Sequence, residues 1–349
     1  MTESTKVLES VKFITENAKD VFIQEDKCRA AATEIYNAML KNKYSTDTWS
    51  SHVLNPKTKD SSTIDWIFTI DTLNFSFWSD IDKKDTGNPA SKSFAIEYKG
   101  NTYTGYWSLC AAINKALDNG VPITSPKFWA SDSFTKDTLA QVFKSASNEN
   151  IFLLDERFQV LKEAGEVLTK KFNVSSFAEI IPLANKSAVK LVNLVASNFD
   201  SYNDESLYLG HKVRILKRAQ ILISDIWACF NEQGLGEFTD IDSITMFADY
   251  RVPQILHSLG CIAYSPALTK HIQNLQPLEH NDPREIEIRG LSIQAVEVIK
   301  KYIHEAHPET KINAILIDFY LWDTAKLIQK QLGGIGDNIA IHRTRSIYY

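Results

Sequence analysis

The sequence FTDIDSITMFADYRVPQIL, residues 238–256, predicts two short helices that meet at one acidic residue. Asp240 and Asp242 are residue types that cap helix N-termini, and an apolar run follows them. Pro253 suits the first turn of a second helix, because its missing N–H group would have no helical partner there in any case. Asp249 therefore falls at the junction between the two predicted helices.

Two interpretations of Asp249 follow from this position. Free backbone N–H groups and the positive end of the helix dipole favour an ionised carboxylate just before a helix start. Its neighbours Phe247 and Tyr250 would remove part of its hydration. An ionised carboxylate in a dry, rigid corner can stabilise developing positive charge. The alternative is structural: a helix cap, or an ion pair with Arg251.

Length and composition bound the class of protein. The chain has 349 residues with no linker-like break, and 44% of its residues are hydrophobic and 11% aromatic. We expect residues 1–349 to form one integrated unit, with approximate sub-regions 1–106 and 107–349. The net charge of -5 argues against binding of long nucleic acid through its phosphates, although a local basic patch could hold one phosphate.

Sequence motifs for metals, cofactors and secretion are absent. Cys28, Cys110, Cys229 and Cys261 form no C-x-x-C pair, so we expect reduced core thiols. No H-E-x-x-H motif, P-loop, nucleophile elbow or dinucleotide-binding turn occurs, and we expect no metal and no cofactor. The chain shows neither a signal-peptide pattern nor a membrane-length apolar run, which predicts a cytoplasmic protein with nuclear access undecided.

The N-terminal third predicts packing helices followed by a small antiparallel sheet. Residues 3–41 carry two amphipathic helical patterns. Alternation of apolar and polar residues over 64–70 predicts a strand. Residues 94–98 and 102–106, joined by a Gly-containing turn at 99–101, predict a hairpin.

Three aromatic residues lie between those predicted strands. Phe75, Phe77 and Trp78 precede a polar loop over 79–93. Flat rings at the mouth of a loop could stack on a planar heterocycle. Core packing is the alternative, with equal weight, because aromatic residues dominate protein cores.

From residue 107 onward the patterns are mainly helical, so the predicted fold is mainly α, with α+β character from the small sheet. Helices are predicted over 107–117, 135–147, 155–171, 185–197 and 211–233. The last of these begins with Lys212, Arg214, Lys217 and Arg218, which oppose the helix dipole unless an anion offsets them. They predict either a phosphate site or a solvated basic face.

Two segments near the C-terminus carry embedded charges. Residues 282–290 alternate charged and apolar side chains and predict an extended or edge-like segment before a helix capped by Ser292. Residues 312–323 are apolar almost all round and predict a buried helix. Asp318 and Asp323 lie inside that run, and a buried carboxylate needs a partner or a functional role.

Five short blocks stand out, in order and over nearly the full length. They are YTGYWSL at 103–109, KRAQIL at 217–222, TMFADYRVPQ at 245–254, EIEIRG at 285–290 and DFYLWD at 318–323. Together these blocks closely resemble the queuosine salvage protein family, and agreement of five separate blocks makes the resemblance specific. It implies a helical body similar to that of helix-hairpin-helix DNA glycosylases.

The resemblance also implies an activity. Members of the family are hydrolases that cleave queuosine 5′-monophosphate at the bond between ribose 5-phosphate and the 7-deazaguanine base queuine, in queuine salvage for tRNA modification. Breaking such a bond builds an oxocarbenium-like ribose, for which one fixed carboxylate beside the anomeric carbon is the main requirement. Asp249 occupies the position of the family's catalytic aspartate.

The implied substrate contacts lie mostly in the same blocks. The predicted substrate-binding residues are Phe75, Phe77, Trp78, Lys217, Arg218, Tyr250, Arg251, Asp318, Tyr320, Trp322 and Asp323. The aromatic residues at 75–78 would hold the base, and Lys217 would meet the 5′-phosphate. A 7-deaza base lacks the N7 that could accept a proton, so leaving-group help must come from elsewhere, with Asp318 and Asp323 as candidates.

The rival interpretation is a non-catalytic nucleic-acid-binding module, or a glycosylase-like protein acting on a modified base in DNA or RNA. It predicts a basic face and strongly salt-dependent binding. The acidic composition and the lack of a recognisable RNA-binding motif favour the hydrolase. We therefore expect a small nucleotide substrate, no stable nucleic-acid complex, no membrane contact and a monomer.

Overall fold

The computed structural model describes residues 3–79, 93–331 and 340–349, and for 326–331 it describes the backbone alone. Most of the polar loop predicted over 79–93 therefore lies outside the described residues. The helices are α1 (Val7–Asn17), α2 (Glu25–Lys41), α3 (Asp47–Ser51), α4 (Ser61–Thr72), α5 (Tyr106–Asp118), α6 (Pro126–Ala130), α7 (Lys136–Val142), α8 (Leu154–Glu166), α9 (Ala188–Asn198), α10 (Lys217–Cys229), α11 (Arg251–Ser258), α12 (Pro266–Gln273), α13 (Pro283–Ala306) and α14 (Ala314–Gln331). The strands are β1 (Val21–Ile23), β2 (Ala95–Tyr98), β3 (Asn101–Thr104), β4 (Glu205–Tyr208), β5 (His211–Arg214) and β6 (Ile262–Tyr264).

The described residues form a mainly α fold with short antiparallel strand pairs, which confirms the predicted fold class. β1 pairs with β6, β2 with β3 and β4 with β5. The helices predicted over 107–117, 135–147, 155–171 and 185–197 correspond to α5, α7, α8 and α9. A helix with one face on the core and one in solvent has apolar residues spaced at about 3.6 positions, and this spacing allows it to be predicted from the sequence.

The predicted hairpin is present as β2 and β3. Ala95 pairs with Thr104, and Tyr98 pairs with Asn101. The two turn residues have positive φ, 47° at position 99 and 80° at Gly100, as tight two-residue hairpin turns require. The second strand ends before the predicted residue 106, where α5 begins.

The strand predicted over 64–70 is wrong, because these residues lie in α4. Asp60 caps this helix by accepting a hydrogen bond from the Thr63 N–H group at 3.1 Å. From Thr63 to Thr72 every residue except Asp65 is buried. A helix buried on all sides has no solvent face, so its residues need not follow the 3.6-residue period.

The long helix predicted over 211–233 is divided in the structure. Its first part is β5, which pairs with β4, and α10 begins at Lys217. Leu216 lies between them with a φ of 54°, in the left-handed region that interrupts regular structure.

This division separates the predicted basic cluster into two pairs. Lys212 and Arg214, on β5, form ion pairs with Glu205 on β4 at 2.8 and 3.1 Å. Lys217 and Arg218, at the start of α10, are only 4% and 1% exposed. The interpretation as a solvated basic face therefore fits Lys212 alone, because Arg214 is largely buried and the helix pair is buried.

The extended segment predicted over 282–290 is also wrong, since α13 begins at Pro283. The Asp282 carboxylate caps this helix by accepting a hydrogen bond from the Arg284 N–H group at 2.9 Å. The predicted cap, Ser292, lies inside the helix instead.

The alternating charges of α13 serve as internal hydrogen-bonding partners. Glu287 accepts hydrogen bonds from the backbone N–H groups of residues 19–21. Arg289 forms an ion pair with Asp204 at 2.6 Å, with both side chains buried. A charge pattern typical of a surface edge strand therefore belongs to a buried polar network.

The stretch over 238–256 folds partly as predicted. α11 spans Arg251–Ser258 and carries the predicted proline in its first turn. The other predicted helix is reduced to a 3₁₀ turn at Ile241–Ser243. Asp240 instead contacts the start of α9, where its carboxylate accepts hydrogen bonds from the Ala188 N–H group and from the hydroxyl group of the cap residue Ser187.

One apolar core contains buried side chains from Val7 to Ala325, and α10 contacts α3, α4 and α9 within it. The four cysteines are buried free thiols, as predicted. The helix predicted over 312–323 is confirmed as α14. The assignment of the chain to one integrated unit with sub-regions 1–106 and 107–349 stays a prediction. In the part of the chain that the structure describes, no helix is long and apolar enough to cross a membrane.

Candidate active site

A cavity of about 210 Å³ lies where α10, α11 and α14 meet α5 and the segment 44–55. Its described wall residues are Tyr44, Thr48, Trp49, Ser51, His52, Asn55, Asn74, Phe77, Tyr106, Trp107, Lys217, Ile221, Asp225, Phe247, Asp249, Tyr250, Arg251, Asp318, Phe319, Trp322, Asp323 and Tyr349. The predicted site residues that the fold brings to this wall are Phe77, Lys217, Asp249, Tyr250, Arg251, Asp318, Trp322 and Asp323.

Asp249 lies directly before α11, and its side chain caps that helix. Its Oδ1 atom accepts hydrogen bonds from the backbone N–H groups of Arg251 and Val252, both at 2.8 Å. The same carboxylate lies on the cavity wall. The structural and functional interpretations of Asp249 are therefore compatible, because the cap fixes the orientation of a group that faces the cavity.

The charge of Asp249 reflects opposing effects. Burial raises its pKa above the ordinary value, whereas Lys217 and the two backbone N–H groups favour the ionised form. Lys217 Nζ donates a hydrogen bond to the Asn74 carbonyl at 3.0 Å, and burial lowers the pKa of Lys217 to about 8. Lys217 and the two N–H groups therefore act against the effect of burial on Asp249.

Asp318, on α14, is the second carboxyl group at this end of the cavity. Its Oδ2 atom accepts a hydrogen bond from the Phe247 N–H group at 3.1 Å, two residues before Asp249. Burial and the nearby Asp249 carboxylate raise the pKa of Asp318 well above its ordinary value. Two carboxyl groups in different surroundings thus lie close together, and such a pair can divide acid and base roles.

Asp323 lies at the mouth of the cavity. The Tyr44 hydroxyl group donates a hydrogen bond to Asp323 Oδ2 at 2.5 Å, which links the segment 44–55 to α14. Burial raises the pKa of Asp323, and the Tyr44 hydrogen bond opposes that shift. Only 4% of the Asp318 surface is exposed, whereas Asp323 keeps part of its surface in solvent, so Asp318 is the deeper of the two.

Aromatic rings give the cavity flat walls. Phe77 and Trp322 each meet the Tyr106 ring edge-on, with centroids 6.4 and 5.8 Å apart. Trp107 stacks on His52 with centroids 3.3 Å apart and planes inclined by 13°. Surfaces of this kind suit a planar heterocycle.

Phe75 does not reach the wall that its neighbour Phe77 forms. The Phe75 ring is fully buried between the guanidinium groups of Arg157 and Arg218, which lie 4.3 and 5.2 Å from its centroid. Ser76, between the two phenylalanines, has a φ of 54° and breaks the extended alternation of the chain. Phe75 therefore lies in the core and does not line the cavity where the base was predicted to stack.

Trp78, Tyr320 and Arg218 also lie off the wall. Trp78 is buried, and its Nε1–H group donates a hydrogen bond to the Thr344 carbonyl at 2.9 Å. The Tyr320 ring meets the Tyr44 ring edge-on at 5.7 Å, behind the mouth. Arg218 is buried and donates to main-chain carbonyl groups. All three side chains therefore contact other protein groups and do not line the cavity.

The segment 44–55, which sequence reasoning passed over, forms one side of the cavity. α3 within it is five residues long, too short for a periodic pattern to emerge. His52 Nδ1 accepts a hydrogen bond from the Leu54 N–H group at 3.3 Å, so the proton of the neutral ring is on Nε2. Burial lowers the pKa of His52 to about 4, which keeps the ring neutral. The available signal was the presence of two aromatic residues, Trp49 and His52, in a short segment.

Asp225 was also missed, although it interrupts the apolar run of α10. It lies on the cavity wall, and burial together with nearby Asp71 raises its pKa well above the ordinary value. A carboxyl group in an apolar run indicates a buried partner or a functional role, so Asp225 could have been predicted as a site residue. Among the described residues, no group of His, Cys, Asp and Glu side chains is arranged to hold a metal ion.

The fold and the site define a mainly helical protein with a glycosidase-like pair of carboxyl groups in an aromatic cavity. The model of a family described as queuosine salvage protein matches residues 54–349. This chain belongs to that family, and the resemblance of the five sequence blocks is confirmed.

Curated relatives cover almost the whole chain and share one name, queuosine 5′-phosphate N-glycosylase/hydrolase. The relative from Schizosaccharomyces pombe is 48% identical over 353 residues, which cover 99% of this chain and 100% of the relative. The relative from Nematostella vectensis is 41% identical, with 98% of this chain and 97% of the relative covered. The relative from Sphaerobacter thermophilus is 35% identical, again with 98% and 97% covered.

Proposed function

We propose that this protein hydrolyses the N-glycosidic bond of queuosine 5′-monophosphate and releases queuine and ribose 5-phosphate. The observation that carries the proposal is that Asp249, held before α11, lies near Asp318, whose pKa burial raises well above its ordinary value. Relatives named for this activity span nearly the whole chain, which supports the choice of substrate. The released queuine is then available for tRNA modification.

Asp249 acts on the ribose. As the bond between the anomeric carbon and the base nitrogen breaks, positive charge develops on the sugar, and a carboxylate in a fixed position stabilises it. The two N–H groups that hold Asp249 are already oriented, so little reorganisation accompanies the transition state. Water adds to the anomeric carbon, and its proton passes to the Asp249 carboxylate.

Asp318 acts on the leaving base. The electron pair of the broken bond leaves with the base, which departs more easily when a proton reaches it. Burial and the Asp249 charge keep Asp318 protonated, so it supplies that proton. Asp323 is the weaker candidate for this step, because it lies at the mouth and accepts the Tyr44 hydrogen bond. We assign Asp323 to contacts with the outer part of the base.

The aromatic walls orient the base. Phe77, Trp107 and Trp322 supply flat surfaces for its plane, and stacking tolerates a deazapurine because its π-face is retained. The Nε2–H group of His52 offers a hydrogen-bond donor to an acceptor on the ring. These residues position the substrate, and they carry no charge that the reaction uses.

Lys217 is assigned to the 5′-phosphate, with Arg251 as a second cation of the wall. The resemblance to the family implies this role for Lys217, which lines the cavity. Lys217 also favours the ionised form of Asp249. The phosphate handle and the catalytic carboxylate are therefore coupled through one cation.

The rival interpretation, a nucleic-acid-binding module, requires an exposed basic face. Lys212 and Arg214 instead pair with Glu205, and the chain is acidic overall. A cavity of about 210 Å³ suits one nucleotide better than a polymer. The proposal accordingly includes a monomer that acts on the free nucleotide in the cytoplasm, without a stable nucleic-acid complex and with nuclear access left open.

The direct test is incubation of the purified protein with queuosine 5′-monophosphate, the free nucleoside and queuosine-containing tRNA, followed by chromatography for released queuine. We expect release from the monophosphate and none from intact tRNA. Asp249→Asn, measured beside the wild type, controls for a contaminating glycosidase. Absence of queuine from the monophosphate would overturn the proposal, and release from tRNA alone would favour the glycosylase-like alternative. Light scattering tests the monomer.

A further inference from the structure

Four consecutive main-chain carbonyl groups, those of residues 72–75, accept hydrogen bonds from three buried cations. The bonds run from Arg218 Nη1 to Thr72 (2.6 Å), from Arg157 Nη1 to Leu73 (2.6 Å), from Lys217 Nζ to Asn74 (3.0 Å) and from Arg157 Nη2 to Phe75. We call the segment 72–77 the wall loop, because it continues from α4 to the wall residue Phe77.

Arg157 is the unusual member of this set. Its Nε atom donates to the Phe152 carbonyl at 2.9 Å, so its described hydrogen bonds all go to main-chain carbonyl groups and none to a carboxylate. The side chain is 0% exposed, and burial with the nearby Arg218 charge lowers the pKa of Arg157 to about 9. Burying a cation without a hydrogen-bonded carboxylate is costly, so the contacts of Arg157 with these carbonyl groups call for an explanation.

The wall loop is also held from its other side. Ser76 has a φ of 54°, a conformation that a serine keeps only when its surroundings over-determine it. Its N–H group donates to a main-chain oxygen of Tyr349 at 2.7 Å, and its hydroxyl group donates to the Ser346 carbonyl at 2.9 Å. Arg157 on one side and residues 346–349 on the other therefore fix the loop between α4 and Phe77.

Two groups carried by the wall loop belong to the cavity. The Asn74 carbonyl accepts the hydrogen bond of Lys217, whose charge favours ionised Asp249. Phe77 forms part of the aromatic wall. A shift of the loop would therefore move a charged group and a ring together, although Arg157 itself does not line the cavity.

We propose that Arg157 is a positioning residue for the reaction, which from outside the cavity holds the wall loop so that Lys217 and Phe77 keep their places. Its kinetic consequence rests on the proposed function. Without the guanidinium group, the Leu73 and Phe75 carbonyl groups lose their donor, and the loop relaxes. Misplacement by about 1 Å at a remote group can cost on the order of 10²-fold in rate.

Arg157→Met and Arg157→Lys test this positioning role. Methionine fills similar space without donors, whereas lysine keeps the charge and can restore a single hydrogen bond at a time. We expect kcat to fall by about 10²-fold for Arg157→Met and by less for Arg157→Lys, with a smaller effect on KM. The melting temperature of Arg157→Met should fall, because three main-chain carbonyl groups lose their donor, although removal of the buried charge offsets part of that cost.

Tyr202→Phe is the matched control at the same end of the loop. The buried Tyr202 hydroxyl group shares a hydrogen bond with the Thr72 hydroxyl group at 2.8 Å but holds no carbonyl group of the wall loop. We expect it to lower the melting temperature while kcat stays near the wild-type value. An equal loss of kcat in Tyr202→Phe and Arg157→Met would reduce Arg157 to a general structural role and overturn the proposal.

A crystal structure of Arg157→Met gives a readout that needs no substrate. We expect a longer separation between Asn74 O and Lys217 Nζ and a displaced Phe77 ring. An unmoved loop, or a folded Arg157→Met with wild-type kcat, would refute the proposal. Should Arg157→Met not fold, wild-type kcat in Arg157→Lys would refute it equally. Wild-type protein that releases no queuine while the loop still moves would sink the proposed function alone.

Discussion

At the scale of single residues, Asp249 shows how one side chain serves both stability and chemistry. Two backbone N–H groups at the start of α11 fix its carboxylate, and Lys217 supports its negative charge. Burial opposes that charge and raises the pKa. A carboxylate in such surroundings is poorly hydrated, so its ionised form would interact strongly with a developing cation.

Asp249→Asn should separate the two roles. The amide oxygen can still accept the hydrogen bonds of α11, so we expect a melting temperature near that of the wild type and retained binding of queuine. The charge is lost, and removal of such a group typically lowers turnover by on the order of 10²-fold or more. Single-turnover kinetics and calorimetric titration measure the two effects. Turnover within a few-fold of the wild type would remove Asp249 from the mechanism.

Asp318 should give the reaction its alkaline limit. Protonation of Asp249 lowers activity on the acid side, and loss of the Asp318 proton lowers it on the alkaline side. Both pKa values are raised by burial, so the active window lies above that of ordinary carboxyl groups. Asp318→Asn should lower kcat and change the alkaline limb of the pH profile to the one set by Lys217, whose pKa is about 8, while the acid limb remains. An unchanged alkaline limb would assign the proton to another group.

Lys217→Ala should discriminate poorly between the nucleotide and its nucleoside. Binding energy at a remote phosphate can position the reacting carbon, so removing either the phosphate or its cation should lower kcat/KM. We expect Lys217→Ala to lose more activity on the monophosphate than on the nucleoside, because only the monophosphate loses a phosphate contact. The loss of support for ionised Asp249 affects both substrates. Equal losses on both substrates would leave the Asp249 contact as its main role, and Arg251 would become the phosphate candidate.

At the scale of elements, the wall loop and α14 bring the site together. α14 presents Asp318 and Trp322 four residues apart, which places a carboxyl group and a ring on one helix face. The wall loop reaches the cavity through Phe77 after burying Phe75 behind it. A regular helix and an irregular loop thus supply neighbouring parts of one wall.

Phe77→Leu and Phe75→Leu form a matched pair on the wall loop. Stacking of a base on an aromatic ring is worth roughly 1–3 kcal/mol, so Phe77→Leu should weaken the binding of queuine by part of that amount. Phe75→Leu should instead lower the melting temperature, because the ring between two guanidinium groups is lost from the core. Titration calorimetry and thermal melts distinguish them. The reverse assignment of effects would place Phe75 at the base.

At the scale of the whole molecule, buried charge is concentrated around one cavity. Asp71, Asp225, Asp249 and Asp318 all have raised pKa values, and burial is the largest cause for each. Lys217 has a lowered pKa for the same reason. The stability of the fold is therefore tied to pH through groups that the active site needs or adjoins.

Asp71→Asn should change the pH dependence of stability. Asp71 is fully buried, and burial raises its pKa from the ordinary value near 3.8 to about 7. The stability of the neutral form is complete below the unfolded-state pKa and is lost as pH rises through the folded-state value, over about pH 4 to 7. We expect the variant to melt higher than the wild type near pH 8, by an unfolding free energy on the order of a few kcal/mol, with a flatter pH profile.

Scanning calorimetry between about pH 5 and pH 8 checks the Asp71 prediction. Asp132→Asn, which changes an exposed aspartate, is the control and should melt with the wild-type profile. A wild-type slope in Asp71→Asn would mean that Asp71 stays ionised in the folded protein through Lys217 and Arg218.

The amino-acid sequence alone determined the mainly α class, the β2–β3 hairpin, the amphipathic helices and the family. Each of these rests on local signals: a solvent face that preserves helical period, a glycine with positive φ, and contiguous blocks of residues. The position of Asp249 before α11 was readable for the same reason, because a helix start is a local event. The likeness of the helical body to helix-hairpin-helix DNA glycosylases stays a prediction.

Tertiary structure decided what local signals do not carry. α4 lost its period because both faces are buried, and the charges of α13 looked like an edge strand because their partners lie far away in sequence. Phe75 is buried and Phe77 lines the cavity because two arginine side chains enclose the Phe75 ring and the backbone turns at Ser76. The segment 44–55 forms a cavity wall because it packs against α14. Burial and long-range contacts set these outcomes, and both exist only once the chain has folded.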